Sequence, residues 1–261
     1  MTHGSTFTGI GGFDLAAKWM GWDNVFHCEF DKRKRIHLER NFPNSKSHGD
    51  IRETNFTTYR GLDVLSGGFP CQDASTAKTD GKGQQGLQGA RTGLLFEMLR
   101  AVRESGAKYV VAENVANILK TNKGRDFRTI LGELAAMGYN AEWRVCRASE
   151  VGAPHQRSRL YLVAYPNSVR RKQGETFFSY VHETALPFTW KPFGATIQIS
   201  RGAKWGTEPP ILCVDDGVSS KLVREHLHGY GNAVVPEIPY RIFKAIEQFE
   251  KITNHVRPTP V

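Results

Sequence analysis

Over the first 165 residues, short apolar runs alternate with amphipathic stretches. That switching between a two-residue and a helical period predicts strand–helix units, hence an α/β fold with helices on both faces of a largely parallel sheet. Ser5-Thr6-Phe7 is the first strand candidate and runs into Thr8-Gly9-Ile10-Gly11-Gly12. A helix follows, with Phe13, Ala16, Ala17 and Met20 on one face and Gly21 at its end. Val25 to Cys28 reads as the next strand and Asp31 to Arg40 as a charged helix. Further strands are expected at Asp63 to Ser66, Tyr109 to Ala112 and Leu160 to Ala164, with helices at Gly93 to Glu104 and Arg125 to Met137. A glycine- and glutamine-rich loop, Thr79 to Gly89, precedes the first of those two helices.

Character changes after Tyr165. Residues 166–225 hold many of the prolines and aromatics, little helical periodicity and several bases, which reads as a small irregular or β-rich segment. Residues 226–261 return to helical spacing from Pro236 to Lys251, where Ile238, Ile242, Ala245, Ile246 and Phe249 make an apolar stripe. From Ile252 the tail is expected to fray.

A chain of 261 residues is enough for one large domain, or one with a small appendage, and needs no disulfide or metal staple. No run approaches the roughly eighteen apolar residues of a membrane span, and Met1 to Ser5 lacks the basic stretch and apolar core of a secretory signal. Cys28, Cys71, Cys146 and Cys213 lie far apart with no C-x-x-C pair. That spacing disfavours a metal site and a disulfide framework alike and fits a reducing cytoplasm. Lys plus Arg number 35 against 26 Asp plus Glu, a net charge of +9 that favours a polyanionic partner such as nucleic acid.

Chemistry-bearing residues recur at predicted strand ends. The glycines at Gly9, Gly11 and Gly12 either let the backbone approach a ligand or merely form a tight turn that packs helix on sheet. Their spacing is not the G-x-G-x-x-G of dinucleotide sites, since Leu15 stands near the third glycine position. Glu29 is placed to accept from ribose hydroxyls, the alternative being a helix N-terminal acid, a job better suited to Asp31. Asp50 either accepts from an adenine amine or serves as a turn residue. In order at successive strand ends, these groups describe an adenosine-containing cofactor.

Cys71, in Gly67-Gly68-Phe69-Pro70-Cys71-Gln72, follows a strand and precedes a long loop. Its polar surroundings favour an exposed nucleophile over a buried small hydrophobe, provided local positive charge lowers its pKa. Glu113, closing an apolar strand, is either a partly desolvated acid that holds a proton near neutrality or a helix cap. Arg157 and Arg159 fall on one side of the last strand, suited to phosphate or carbonyl recognition, or else facing water.

With these residues assembled, the sequence resembles the C5-cytosine DNA methyltransferase family. The resemblance rests on F-x-G-x-G-G at Phe7 to Gly12, Glu29, Asp50-Ile51, Pro70-Cys71-Gln72, Glu113-Asn114-Val115, Gln156-x-Arg157-x-Arg159 and Gly231-Asn232-Ala233-Val234, in the family's order. It covers nearly the whole chain except about residues 166–220. It implies a Rossmann-like sheet that binds S-adenosylmethionine, with a small target recognition segment. By position, Phe7, Gly9, Ile10, Gly11, Gly12, Glu29, Phe30, Asp50, Ile51, Pro70, Leu95, Asn232 and Val234 would form the cofactor pocket. Cys71 would add to C6 of a flipped-out cytosine, Glu113 would bond N3 and the exocyclic amine, and Arg159, supported by Arg157, would hold the base carbonyl. Gln72, Ser75, Arg91, Arg170 and Arg171 would contact double-stranded DNA.

Two features depart from the family: the recognition segment is very short, and Ser5-Thr6 stands where Leu or Asp-Leu is common. The expected activity is DNA cytosine-5 methylation, as in restriction–modification, in the cytoplasm of a bacterial, archaeal or phage-infected cell, with no metal and no membrane. The alternatives are tRNA cytosine-5 methylation and a catalytically idle DNA-binding relative. A nicotinamide oxidoreductase is disfavoured by the glycine spacing. Monomer and weak dimer are both left open.

Overall fold

The computed structural model describes residues 1–69, 93–153, 156–169, 174–182 and 233–255. Pro70, Cys71, Gln72, Ser75, the Thr79 to Gly89 loop, Arg91, Arg170, Arg171, Asn232, most of the expected recognition segment and the end of the tail lie outside the described residues.

In chain order the main elements are β1 (Thr2–Thr6), α1 (Gly12–Trp19), β2 (Asp23–Cys28), α2 (Lys32–Asn41), β3 (Lys46–His48), β4 (Val64–Gly67), α3 (Gly93–Ser105), β5 (Tyr109–Val115), α4 (Arg125–Ala136), β6 (Tyr139–Arg147), β7 (Ser158–Pro166) and α5 (Glu237–His255). The strands form one seven-stranded sheet in the order β3-β2-β1-β4-β5-β7-β6. β1 to β5 are mutually parallel, and β7 runs antiparallel to both β5 and β6. The sheet is therefore mixed rather than largely parallel on the β7 side. β6 was not anticipated from the sequence. It is an edge strand whose Glu142, Arg144 and Arg147 interrupt any apolar run, and Trp143 is exposed.

Side-chain alternation divides the core in two. Leu65, Val110, Ala112, Leu160 and Leu162 pack under α3 and α4 with Met98, Leu99, Phe127 and Ile130. Val64, Tyr109, Val111, Tyr161 and Val163 pack under α1 and α5 with Phe13, Ala16, Ile242 and Ile246. Both faces of the sheet are thus covered, as the near-continuous apolar runs of β4, β5 and β7 require. Gly21, at φ 71, ends α1 with its N–H on the Lys18 carbonyl and the Trp22 N–H on the Ala17 carbonyl. Asp31 caps α2 by accepting from the Arg33 N–H at 2.8 Å, the role expected for it.

β1 sits mid-sheet, yet His3 and Ser5 are fully buried on its α1/α5 face. Such burial is tolerable only with partners. His3 bonds Asn24 through Nδ1 at 2.6 Å and Ser66 through Nε2 at 2.8 Å. The Ser5 hydroxyl donates to the Asp14 carboxyl at 2.9 Å. A polar network replaces the apolar side chains that this strand lacks.

Candidate active site

The residues of interest gather at one edge of the sheet. Phe7 to Gly11 follow β1, Glu29 and Phe30 follow β2, Asp50 follows β3, and Gly68 and Phe69 follow β4. Glu113 lies near the end of β5, and antiparallel pairing of Val115 with Arg159 brings the start of β7 to the same edge. The carboxyl ends of parallel strands at the switch in strand order, here between β1 and β4, are where open α/β sheets bind ligands.

The three glycines of the turn are not equivalent. A Cβ on Gly12 would lie 2.6 Å from the Val234 carbonyl oxygen, and one on Gly11, at φ +90, would lie 2.8 Å from the Phe42 ring. These two glycines admit close packing, and Gly12 is where the chain returns to the turn through Val234. Gly9 is different. Its nearest would-be contact is the Phe7 carbonyl at 4.0 Å, and its N–H donates to Glu29 Oε2 at 2.7 Å. Phe7 itself adopts the left-handed backbone region, at φ 51, to start the turn.

The Glu29 carboxylate also accepts from the Asp31 N–H at 2.9 Å through Oε1. A carboxylate has about four acceptor positions, so two remain beyond these bonds. Phe30 is 74% exposed beside it. Ile51 and Leu95 are buried in a common apolar cluster with Phe69, against which Phe7 packs. Asp50 is held otherwise than expected for a free acceptor. Its carboxylate accepts from the Arg52 side chain, Nε to Oδ1 at 2.9 Å, and this bond keeps its pKa below the usual range.

At the other end of the edge, Glu113 and Arg159 face one another. Arg159 Nε lies 3.0 Å from Glu113 Oε1 but off the N–H axis, so Oε1 has no hydrogen-bond partner among the described residues. Burial pushes the Glu113 pKa up, opposed by the charges of Arg159 and Arg157. A Cβ on Gly68 would lie 3.2 Å from Glu113 Oε2, so the chain leading to Cys71 runs against this acid. Asn114 fastens the approach, its Nδ2 donating to the Phe69 carbonyl at 3.1 Å. The sequence reading gave Asn114 no separate role. Its signal was an amide directly after the acid, on the strand that pairs with β4 and so beside the segment it ties down at Phe69. Arg159 Nη1 donates to the Ser158 carbonyl at 2.9 Å. Cys28 and Cys146 are buried thiols with pKa values pushed up to about 11 and about 12, which disqualifies both as thiolate nucleophiles.

A family model for C-5 cytosine-specific DNA methylase matches residues 1–196. The chain belongs to this family. The curated relatives it resembles include the type II methyltransferase M.HhaI of Haemophilus parahaemolyticus, 34% identical over 163 residues that make up 62% of this chain and 48% of that protein. Another, M2.BsuMI of Bacillus subtilis strain 168, is 33% identical over 226 residues, covering 80% of this chain and 55% of the relative. The chain spans about half the length of the curated relatives it matches. Among solved structures, the S. pombe Dnmt2 methyltransferase superposes with a TM-score of 0.55 at 17% identity, over 71% of this chain and 57% of that one. The likeness supports the methylase fold: a Rossmann-like mixed sheet covered on both faces. No helix among the described residues is long and apolar enough to cross a membrane. Those residues contain no cluster of three or more His, Cys, Asp or Glu side chains suited to a metal.

Proposed function

We propose that this chain acts as a DNA cytosine-5 methyltransferase that uses S-adenosylmethionine and attacks a flipped-out cytosine through Cys71. The observation that carries the reading is Glu113: a buried acid with a raised pKa, ion-paired to Arg159 without a well-aligned hydrogen bond on Oε1, beside the segment that leads to Cys71. A group of that kind can give a hydrogen bond to a ring nitrogen and accept one from an amine.

The residues at the β1–β3 end fit the adenosine half of the cofactor. Glu29 keeps acceptor capacity for ribose hydroxyls, Phe30 offers an uncovered ring, and Gly9 leaves its side of the turn open. Phe7, Ile10, Ile51, Pro70, Leu95, Asn232 and Val234 complete this pocket in the proposal. Asp50 takes part if an adenine amine shares its carboxylate with Arg52. When bound, S-adenosylmethionine supplies an electrophilic methyl group. The Cys71 thiolate adds to C6 and thereby enriches C5, Glu113 bonds the N3 and amine edge, and Arg159 with Arg157 offsets charge at the carbonyl. Gln72, Ser75, Arg91, Arg170 and Arg171 contact duplex DNA, and extruding the base costs a few kcal/mol.

In this reading residues 1–165 carry cofactor and catalysis, 166–225 recognise the target, and 226–261 return to the first part. The return is supported by Val234 on Gly12, and by Tyr109, whose hydroxyl donates to Glu250 Oε1 at 2.6 Å. The reaction belongs in the cytoplasm of a bacterial, archaeal or phage-infected cell, beside the DNA.

The test is transfer of a labelled methyl group to duplex DNA, with tRNA as competitor and Cys71→Ser as control. Incorporation that survives in Cys71→Ser overturns the thiolate mechanism. A substrate with 5-fluorocytosine at the target should leave a covalent adduct on Cys71, because the final loss of the C5 proton is blocked.

A further inference from the structure

The site motifs do not account for Arg35, on the second turn of a helix that is otherwise a solvated face. Among the side chains of α2 only Leu38 is buried. Arg35 turns back along the helix toward the sheet edge. Its Nη1 donates to the Glu29 carbonyl at 2.7 Å and to the Phe30 carbonyl at 2.8 Å. The same guanidinium lies against the end of β3: a Cβ on Gly49 would stand 3.3 Å from Nη1 and 3.6 Å from Cζ. Gly49 has no left-handed backbone requirement, so the close approach of Arg35 is what a side chain there would disturb.

The two carbonyls belong to the residues that present the ribose acid and the exposed ring. On the Glu29 side chain, the Gly9 and Asp31 N–H groups fix the carboxylate. Among the described residues nothing comparable fixes the Phe30 side chain, which is 74% exposed and follows the last residue of β2 by two positions. Cationic donors to carbonyls make stronger hydrogen bonds than neutral ones. One planar guanidinium held by both peptide units restricts the backbone on which the carboxylate and ring are mounted.

We propose that Arg35 is a positioning residue for the adenosine end of the cofactor pocket, clamping the Glu29–Phe30 backbone against Gly49 so that acid and ring meet the nucleoside together. This inference rests on the proposed binding of S-adenosylmethionine at this edge. Arg35 touches neither cofactor nor base; it acts through the two residues it holds. Its loss should therefore weaken nucleoside binding and leave the chemistry at Cys71 intact.

The experiment is calorimetric titration of the full chain with S-adenosylhomocysteine, alongside steady-state methyl transfer, for Arg35→Met, Arg35→Lys and Gly49→Ala. Arg35→Met should raise the dissociation constant about tenfold, the scale of one charged hydrogen bond. The KM for S-adenosylmethionine should rise in parallel, with kcat and the KM for DNA within about twofold. Arg35→Lys, which can still reach one carbonyl, should recover part of the affinity, and Gly49→Ala should lose a smaller part. In a Phe30→Ala background the effect of Arg35→Met should shrink, because the two residues act on one contact. Full additivity with Phe30→Ala overturns the proposal. So does a loss of kcat, or of melting temperature, without a loss of affinity. A wild-type chain that binds no S-adenosylhomocysteine overturns the cofactor reading itself. Wild-type binding that Arg35→Met leaves unchanged overturns the Arg35 inference alone.

Discussion

Arg159 Nε stands 3.0 Å from Glu113 Oε1, an ion-pair distance but off the line of a good hydrogen bond, so the arginine opposes the rise in the acid's pKa by its charge more than by a hydrogen bond. A fully engaged ion pair would have held Glu113 as a carboxylate. Here burial is the larger influence and pushes its pKa up, with the two arginines opposing.

Replacing Glu113 with Gln should lower methyl transfer by at least about 10²-fold, since the acid can pass its proton toward N3 as charge builds on the ring, whereas an amide makes the same two hydrogen bonds but moves no proton. Stability should respond the other way. A carboxyl with a raised folded-state pKa loses stability as pH climbs from its ordinary value of 4.5 toward the pH at which it ionises in the fold. Glu113→Gln should therefore flatten that decline. Thermal melts from pH 5 to 9 beside initial rates check both halves; an unchanged slope would assign the acid to another role.

Asn114→Ala removes the bond from Nδ2 to the Phe69 carbonyl and leaves a buried acceptor without its partner, at about 1–2 kcal/mol. The consequence for function should exceed that. Phe69 is two residues before Cys71, so kcat should fall more than about tenfold while S-adenosylhomocysteine affinity holds. Equal losses in both would make Asn114 a structural residue only.

These two residues also mark how far the sequence was legible. The strand ends and the residues on them could be read because apolar runs terminate abruptly at Ser66, Ala112 and Cys28, leaving Glu113 and Glu29 as the first charged side chains beyond an apolar stretch. The antiparallel end of the sheet could not. β6 is a half-exposed edge strand with charges at Glu142 and Arg144, so its pattern resembles a solvated loop, and no local signal gives the direction of β7. Polar β1 was legible only as a departure from the family. The partners that make it tolerable, Asn24, Ser66 and Asp14, come from three different elements. Arg35 was hidden for a similar reason: it sits in a run of cations, and only its fold through space separates it from Lys32 or Lys34.

The division within the glycine turn predicts opposite phenotypes for neighbouring substitutions. Gly12→Ala drives a methyl against the Val234 backbone, where neither side can yield, and should cost about 1–3 kcal/mol of stability. Gly9→Ala meets open space but must hold φ +63, a penalty of about 1–2 kcal/mol for an L residue. Relief of that strain would rotate the N–H away from Glu29 Oε2. Gly9→Ala should thus lose more S-adenosylhomocysteine affinity per unit of melting temperature than Gly12→Ala. The reverse ranking in paired titration and melting experiments would show that Gly9 is a packing glycine too.

The buried network under β1 gives a pH signature with two opposed components. Burial pushes the Asp14 pKa up from 3.8 to about 7, against the Ser5 hydroxyl bond, and pushes His3 down from 6.5 to about 4, against its bond to Asn24. In the folded chain Asp14 keeps a proton that the unfolded chain has released, so stability falls as pH rises from about 4 to about 7. His3 is neutral in the fold where the unfolded chain is protonated, so its contribution rises between about 4 and 6.5. Each amounts to on the order of 3–4 kcal/mol across its window, and where the windows overlap, between about 4 and 6.5, they oppose one another. Asp14→Asn should uncover the rise due to His3, His3→Gln should uncover the fall due to Asp14, and the double variant should return close to the wild-type slope. Urea titrations at pH 4.5, 6 and 8 measure all four slopes. If Asp14→Asn keeps the wild-type slope, Asp14 is ionised in the fold, and the hydroxyl of Ser5 at 2.9 Å must then be compensating a buried charge rather than serving a neutral acid.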